Sequence, residues 1–158
     1  MKASNRKAFT MLELIFVVVI IGILSAIAIP KFTMTKDTAV ITKAKTTVAS
    51  IRNAVAIQRQ QRILRGNFHA ITKLSVQNGV GENKLIFDGF DGNVSAPVLE
   101  YPLAACETTT SVSCWTQNAT GTEYTFKMPL AGSVVFELKN NKFDCKDLTT
   151  ANCKLLTR

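Results

Sequence analysis

From Leu14 to Ile29 the chain carries no charge, and only Gly22 and Ser25 interrupt a run of aliphatic and small side chains. The 21 residues from Phe9 to Ile29 would form a helix about 30 Å long, the thickness of a bilayer core. A helix that is apolar all round cannot sit on the surface of a small soluble domain. It needs a membrane or a sheath of other helices. Gly22, Ala26 and Ala28 are small enough to let such helices approach closely. Pro30 ends the run, and its ring clashes with the preceding helical turn, so a kink or local melt is expected there.

The remainder of the 158 residues suffices for one modest core. Aromatic and β-branched residues continue to the C-terminus, which argues against disorder. The net charge of +8 is unevenly spread. Lys2, Arg6 and Lys7 precede the apolar run, and residues 31–84 carry ten Lys or Arg against Asp37 and Glu82. Residues 85–158 are nearly balanced, with six basic and eight acidic side chains. A basic excess beside a membrane span could meet lipid head groups, nucleic acid or acidic faces of neighbouring subunits.

Glu13 does not fit a plain anchor. A carboxylate inside a membrane helix is costly and needs a partner, unless it snorkels or caps the helix start. Around it runs Phe9-Thr10-Met11-Leu12-Glu13-Leu14, preceded by the short basic leader Lys2–Ala8 and followed by the Ile/Val run to Ala28-Ile29-Pro30. This pattern resembles the class III prepilin signature of type IV pilins and type II secretion pseudopilins, over roughly residues 1–35. The resemblance implies that a prepilin peptidase cuts between Ala8 and Phe9 and N-methylates Phe9. The family usually has glycine where this chain has Ala8. It also implies that Glu13 of one subunit pairs with the Phe9 α-amine of the next, and that an inner-membrane assembly platform and other pilin-like subunits are the partners. Two rivals exist for this segment. Ala26-Ile27-Ala28 has the small-x-small pattern of an ordinary signal peptide, which would release a domain beginning at Ile29. The other rival is a simple single-pass anchor.

Beyond Pro30, residues 33–65 read as a helix. Ile41, Ala44, Val48, Ile51 and Val55 recur at threes and fours in one apolar stripe, and Gly66 is a plausible C-terminal cap. Lys45, Arg52 and Arg59 repeat every seven residues beside that stripe, and Arg62 and Arg65 follow. As a group they could contact nucleic acid or acidic subunit surfaces, or simply form a solvated flank. No aromatic residues interleave with them, which weighs against a single-strand binder. Residues 66–94 look irregular. Asn78-Gly79, Asp88-Gly89 and Asp91-Gly92-Asn93 are turn dipeptides. Asp88, Asp91 and Asn93 lack the spacing of an EF-hand calcium loop.

The pattern then switches to period two. Val98–Tyr101, Cys114–Thr116, Tyr124–Lys127 and Val134–Leu138 read as strands, and Asn140-Asn141 turns the last of them into Lys142–Cys145. Cys106, Cys114, Cys145 and Cys153 cluster behind an export segment, which points to disulfides in an oxidising compartment. Neighbours in sequence are the simplest pairing, Cys106–Cys114 and Cys145–Cys153, with a crossed pairing left open. The expected organisation is a leader (1–8), a membrane and assembly helix (9–30), an amphipathic continuation (31–65), and a loop and sheet region (66–158). The expected class is α+β and pilin-like, with the long helix packed on a small antiparallel sheet.

The chain has one histidine. There is no nucleophile elbow, phosphate-binding glycine loop or H-E-x-x-H motif, so no enzyme, metal or cofactor site is expected. The function expected is that of a minor pilin or pseudopilin. It would be anchored in the bacterial inner membrane with its C-terminal domain outside the cytoplasm, in a fibre for type II secretion or DNA uptake. A surface pilus subunit and a DNA-binding receptor of a transformation system are the alternatives.

Overall fold

The computed structural model describes residues 9–77, 84–130 and 132–158, with the side chains of 29–34 outside the description. The leader with Ala8, the Asn78-Gly79 turn and Glu82 lie outside the described residues. The chain divides into two compact units, Met1–Thr38 and Ala39–Arg158.

Helix α1 (Met11–Leu64) starts in the first unit and runs into the second. Helical backbone continues across Pro30, so the helix does not melt there. Within the first unit Met11–Ala28 is long and apolar enough to cross a bilayer, with a mean hydropathy of 2.8 and 0% of it buried.

The second unit is an α+β domain. Its part of α1 buries Ala44, Val48, Ile51 and Val55, the stripe set by the three-and-four spacing. The helix closes on Gly66, whose φ of 73° only glycine adopts freely. There the Gly66 N–H donates to Ile63 O and the Asn67 N–H to Arg62 O, at 2.9 and 2.8 Å. This pair of bonds is a Schellman cap, which satisfies two carbonyls that the helix would otherwise leave open.

Two short strands, β1 (Leu85–Ile86) and β2 (Leu103–Ala104), pair antiparallel. The main sheet holds β3 (Trp115–Gln117), β4 (Glu123–Lys127), β5 (Ser133–Lys139) and β6 (Lys142–Cys145), antiparallel and in chain order. The register sets Tyr124 opposite Phe136, Phe126 opposite Val134 and Phe136 opposite Cys145, so period-two side chains share one face. That face and the α1 stripe form a single buried cluster. Aromatic rings fill it, with Phe136 stacked on Phe143 at 5.1 Å and Phe87 on Tyr124 at 5.0 Å. Asn140 and Asn141 both have positive φ, 52° and 58°, the type I′ geometry whose twist suits a two-residue hairpin.

Three features depart from the sequence reading. Val98–Tyr101 is not a strand. It lies between Pro97 and Pro102, which lack the N–H that a ladder needs, and while Val98 is buried, Tyr101 is 81% exposed. β1 and β2 arise inside or beside stretches expected to be irregular. A second helix, α2 (Ala151–Thr157), follows the sheet, with Thr150 as its N-cap accepting from the Cys153 N–H.

Two disulfides brace the domain. Cys106 joins Cys114 and Cys145 joins Cys153, each across a separation of eight residues. The second ties α2 to the end of β6.

Candidate assembly site

The start of α1 is built by local chemistry. Thr10 precedes the first helical residue, and its hydroxyl accepts from the Glu13 N–H at 3.3 Å. The Thr10 carbonyl accepts from Leu14 at 3.1 Å. Thr10 therefore serves as an N-cap. Glu13 stands in the first turn, where the positive end of the helix dipole favours a carboxylate. Its side chain has no hydrogen bond or ion pair to any described residue. Phe9 is 72% exposed, and Met11, Leu12, Ile15, Phe16 and Val18 are each at least 60% exposed. Between Phe9 and Ala28, Glu13 is thus the one charged side chain on an exposed apolar helix.

The basic residues behave differently from the expected contact row. Arg52 donates through Nε to Phe143 O at 3.0 Å and through Nη2 to Asp144 Oδ1 at 2.7 Å. Arg59 donates to the carbonyls of Phe68 and His69 at 3.1 and 3.0 Å. Arg62 pairs with Asp91 Oδ2 at 2.5 Å. These three side chains are therefore spent on the chain's own sheet and loop, while Lys45 and Arg65 stay exposed. These internal bonds have a simple cause. Residues flanking a helix stripe that is docked on a domain lie beside that domain's carbonyls, and an arginine is long enough to reach them.

Asp91 is the centre of the loop network. Its Oδ1 accepts from the Thr72 N–H and hydroxyl, both at 2.7 Å, and from the Lys73 N–H at 3.0 Å. Burial would raise its pKa, but the bonds from Thr72, Arg62 and Lys73 outweigh this and hold it below the usual value. Asp88 Oδ1 accepts from the Val76 N–H at 2.8 Å, and Asn93 Oδ1 from the Ser95 N–H at 2.9 Å. The acidic turns are thus occupied by backbone donors. Deeper in, the Tyr124 hydroxyl accepts from the Leu74 N–H at 2.7 Å and donates to Gly121 O at 2.9 Å. Desolvation of the buried ring pushes its pKa up to about 12. Asp144, Cys145 and Cys153 lie close together, but both sulfurs are in the disulfide and Asp144 is bound to Arg52. No thiolate is left there for a metal.

A long helix with an uncovered apolar first half, followed by a small antiparallel sheet domain, is a pilin-like α+β architecture. The N-terminal segment matches the prokaryotic N-terminal methylation motif over residues 3–29. The chain is also 47% identical over 55 residues to the "Type IV narrow pilus major component PilA5" of Thermus thermophilus, a match covering 35% of this chain and 47% of that relative. The match thus spans about half of the relative's length. No solved structure matches the chain. With the methylation motif, the pilin relative and this architecture together, the chain is a type IV pilin-like protein.

Proposed function

We propose that this chain is a structural subunit of an envelope-spanning fibre. It is cut before Phe9 by a prepilin peptidase, N-methylated there, and held in the inner membrane by Phe9–Ile29 with its C-terminal domain outside the cytoplasm. An assembly platform then draws it among other pilin-like subunits. The observation that carries this reading is the Glu13 carboxylate, without a partner among the described residues, on the exposed apolar helix Met11–Ala28. Leaving such a charge alone in hydrocarbon is expensive, and pairing it with a neighbour's Phe9 α-amine relieves two isolated charges at once. The pair sets axial register between subunits.

Within that class we favour a minor pilin or pseudopilin serving type II secretion or DNA uptake, because the sheet domain is small. A type IV surface pilus is the second reading, favoured by the pilus component to which 55 residues of this chain are similar. A DNA-receptor role is not favoured, since Arg52, Arg59 and Arg62 make bonds within the chain, although Lys45 and Arg65 remain exposed. The test is Glu13→Val in cells that assemble the fibre. The variant subunit is expected in the membrane at normal level and correctly processed, yet depleted from sheared or purified fibres. Normal incorporation of the variant would overturn the pairing role.

A further inference from the structure

We propose that Asn93 is an acceptor for N-linked glycan. The sequence holds two Asn-x-Ser/Thr triplets, Asn93-Val94-Ser95 and Asn118-Ala119-Thr120. Such a triplet on the surface of an exported protein is an acceptor for oligosaccharide on the asparagine amide nitrogen. The proposal rests on the reading that the C-terminal domain lies outside the cytoplasm.

The structure separates the two triplets sharply. Asn93 lies in an exposed turn, where Val94 is 71% exposed and Ser95 is also exposed. The Asn93 side chain uses only its oxygen, which accepts from the Ser95 N–H at 2.9 Å. Its Nδ2 has no partner among the described residues and stands free for reaction. The Ser95 hydroxyl, two residues on, is equally free. The backbone is held independently of both groups, because Asn93 N–H donates to Phe90 O and Asn93 O accepts from the Ala96 N–H, at 3.0 and 3.1 Å. Gly89 lets the turn close this tightly, since a Cβ there would lie 2.4 Å from Asn93 O. A glycan on Nδ2 therefore breaks no bond that the turn depends on.

Asn118 is the reverse. Its oxygen accepts from the Thr122 and Glu123 N–H groups at 2.9 and 3.2 Å, and its Nδ2 donates to the Thr122 hydroxyl at 3.2 Å. The hydroxyl of Thr120 is itself bonded to Thr122 at 2.9 Å. Both chemical handles of this triplet are spent in building the β3–β4 turn, and Asn118 is half-buried.

The donor is an oligosaccharide linked through pyrophosphate to a membrane lipid, used by a membrane-bound oligosaccharyl transferase. Asn93 Nδ2 forms a bond to the anomeric carbon of the first sugar. The bond from that carbon to the pyrophosphate oxygen breaks, the lipid pyrophosphate leaves, and one amide proton is lost to a base. No oxidation or reduction takes place.

The experiment uses the full chain in bacterial cells that carry such a transferase and its lipid-linked oligosaccharide. Protease treatment of spheroplasts reports the side of the membrane on which the domain lies. Cleavage after glutamate then separates Asn93, before Glu100, from Asn118, between Glu107 and Glu123, for mass analysis. The result expected is one glycan mass on the Asn93 peptide, lost in Asn93→Gln and in Ser95→Ala and retained in Asn118→Gln. An accessible domain with no added mass, or with the glycan on Asn118, overturns the proposal alone. A protease-protected domain overturns the export reading and this proposal with it.

Discussion

Arg62, in the last turn of α1, and Asp91, in the loop before β2, meet at 2.5 Å with side chains only 16% and 28% exposed. The same carboxylate holds Thr72 and Lys73 with its other oxygen. One aspartate thus pins the helix end and two separate loop segments together.

Asp91→Ala should cost about 2–4 kcal/mol, because it strands Arg62 and two backbone N–H groups at once. Urea unfolding of the domain at pH 7 measures this. Asp91 also predicts the acid limb of stability. Its folded pKa is depressed, so its contribution is present above the unfolded carboxylate value of about 4 and is lost as pH falls through the lower folded value. Asp91→Asn should flatten that limb when unfolding is repeated between pH 5 and pH 2.

Tyr124→Phe keeps the ring but leaves the buried Leu74 N–H unpaired, at a cost of about 1–3 kcal/mol. The hydroxyl also sets an alkaline limit. With its folded pKa raised to about 12, its contribution is complete below the unfolded value of about 10 and is lost as pH climbs from there through 12. The phenylalanine variant should be less stable at pH 8 and show a shallower decline above pH 10. An unchanged decline would show that other groups set the alkaline limit.

Processing can be read directly. The mature chain should begin at Phe9 with one added methyl group, as seen by intact mass of membrane-extracted protein. A start at Ile29 would point instead to an ordinary signal peptide, and retention of Met1 to a plain anchor.

Cys145→Ser should loosen α2 before it loosens the sheet. An eight-residue separation gives roughly 2–3 kcal/mol of loop-closure stabilisation. Amide exchange in 151–157 should accelerate in the variant while that of β4 and β5 stays slow. Uniform acceleration would mean that the bridge supports the whole core.

The helix was legible because burial follows a period that the residues display. Ala44, Val48, Ile51 and Val55 are apolar at threes and fours, and Gly66 marks the stop. Strands β4 to β6 were legible for the same reason at period two. Val98–Tyr101 misled because its composition suits a strand while the flanking Pro97 and Pro102 remove ladder donors. α2 was missed because seven residues give too little periodicity, although the Thr150 cap was a usable signal. The arginine row shows a different limit. Spacing places Arg52, Arg59 and Arg62 on one flank of α1, but partners such as Phe143 O and Asp91 are distant in sequence and follow only from the fold. Phe87 had no signal at all, since nothing in its neighbours announces a buried phenylalanine at a φ of 62°.

The bond from Arg52 to Phe143 O bears on crowding. β6 is an outer strand of the four-stranded sheet, and outer strands offer unpaired carbonyls and amides that can template pairing with another molecule. Here Arg52 occupies a β6 carbonyl, and on the opposite margin the Cys106 N–H occupies Trp115 O at 2.8 Å. Subunits gathered side by side at high local density thus present sheet borders that are partly filled from within. In the fibre proposed above, adhesion between neighbours would then fall to the apolar helices and be kept away from strand-to-strand pairing, which drives aggregation.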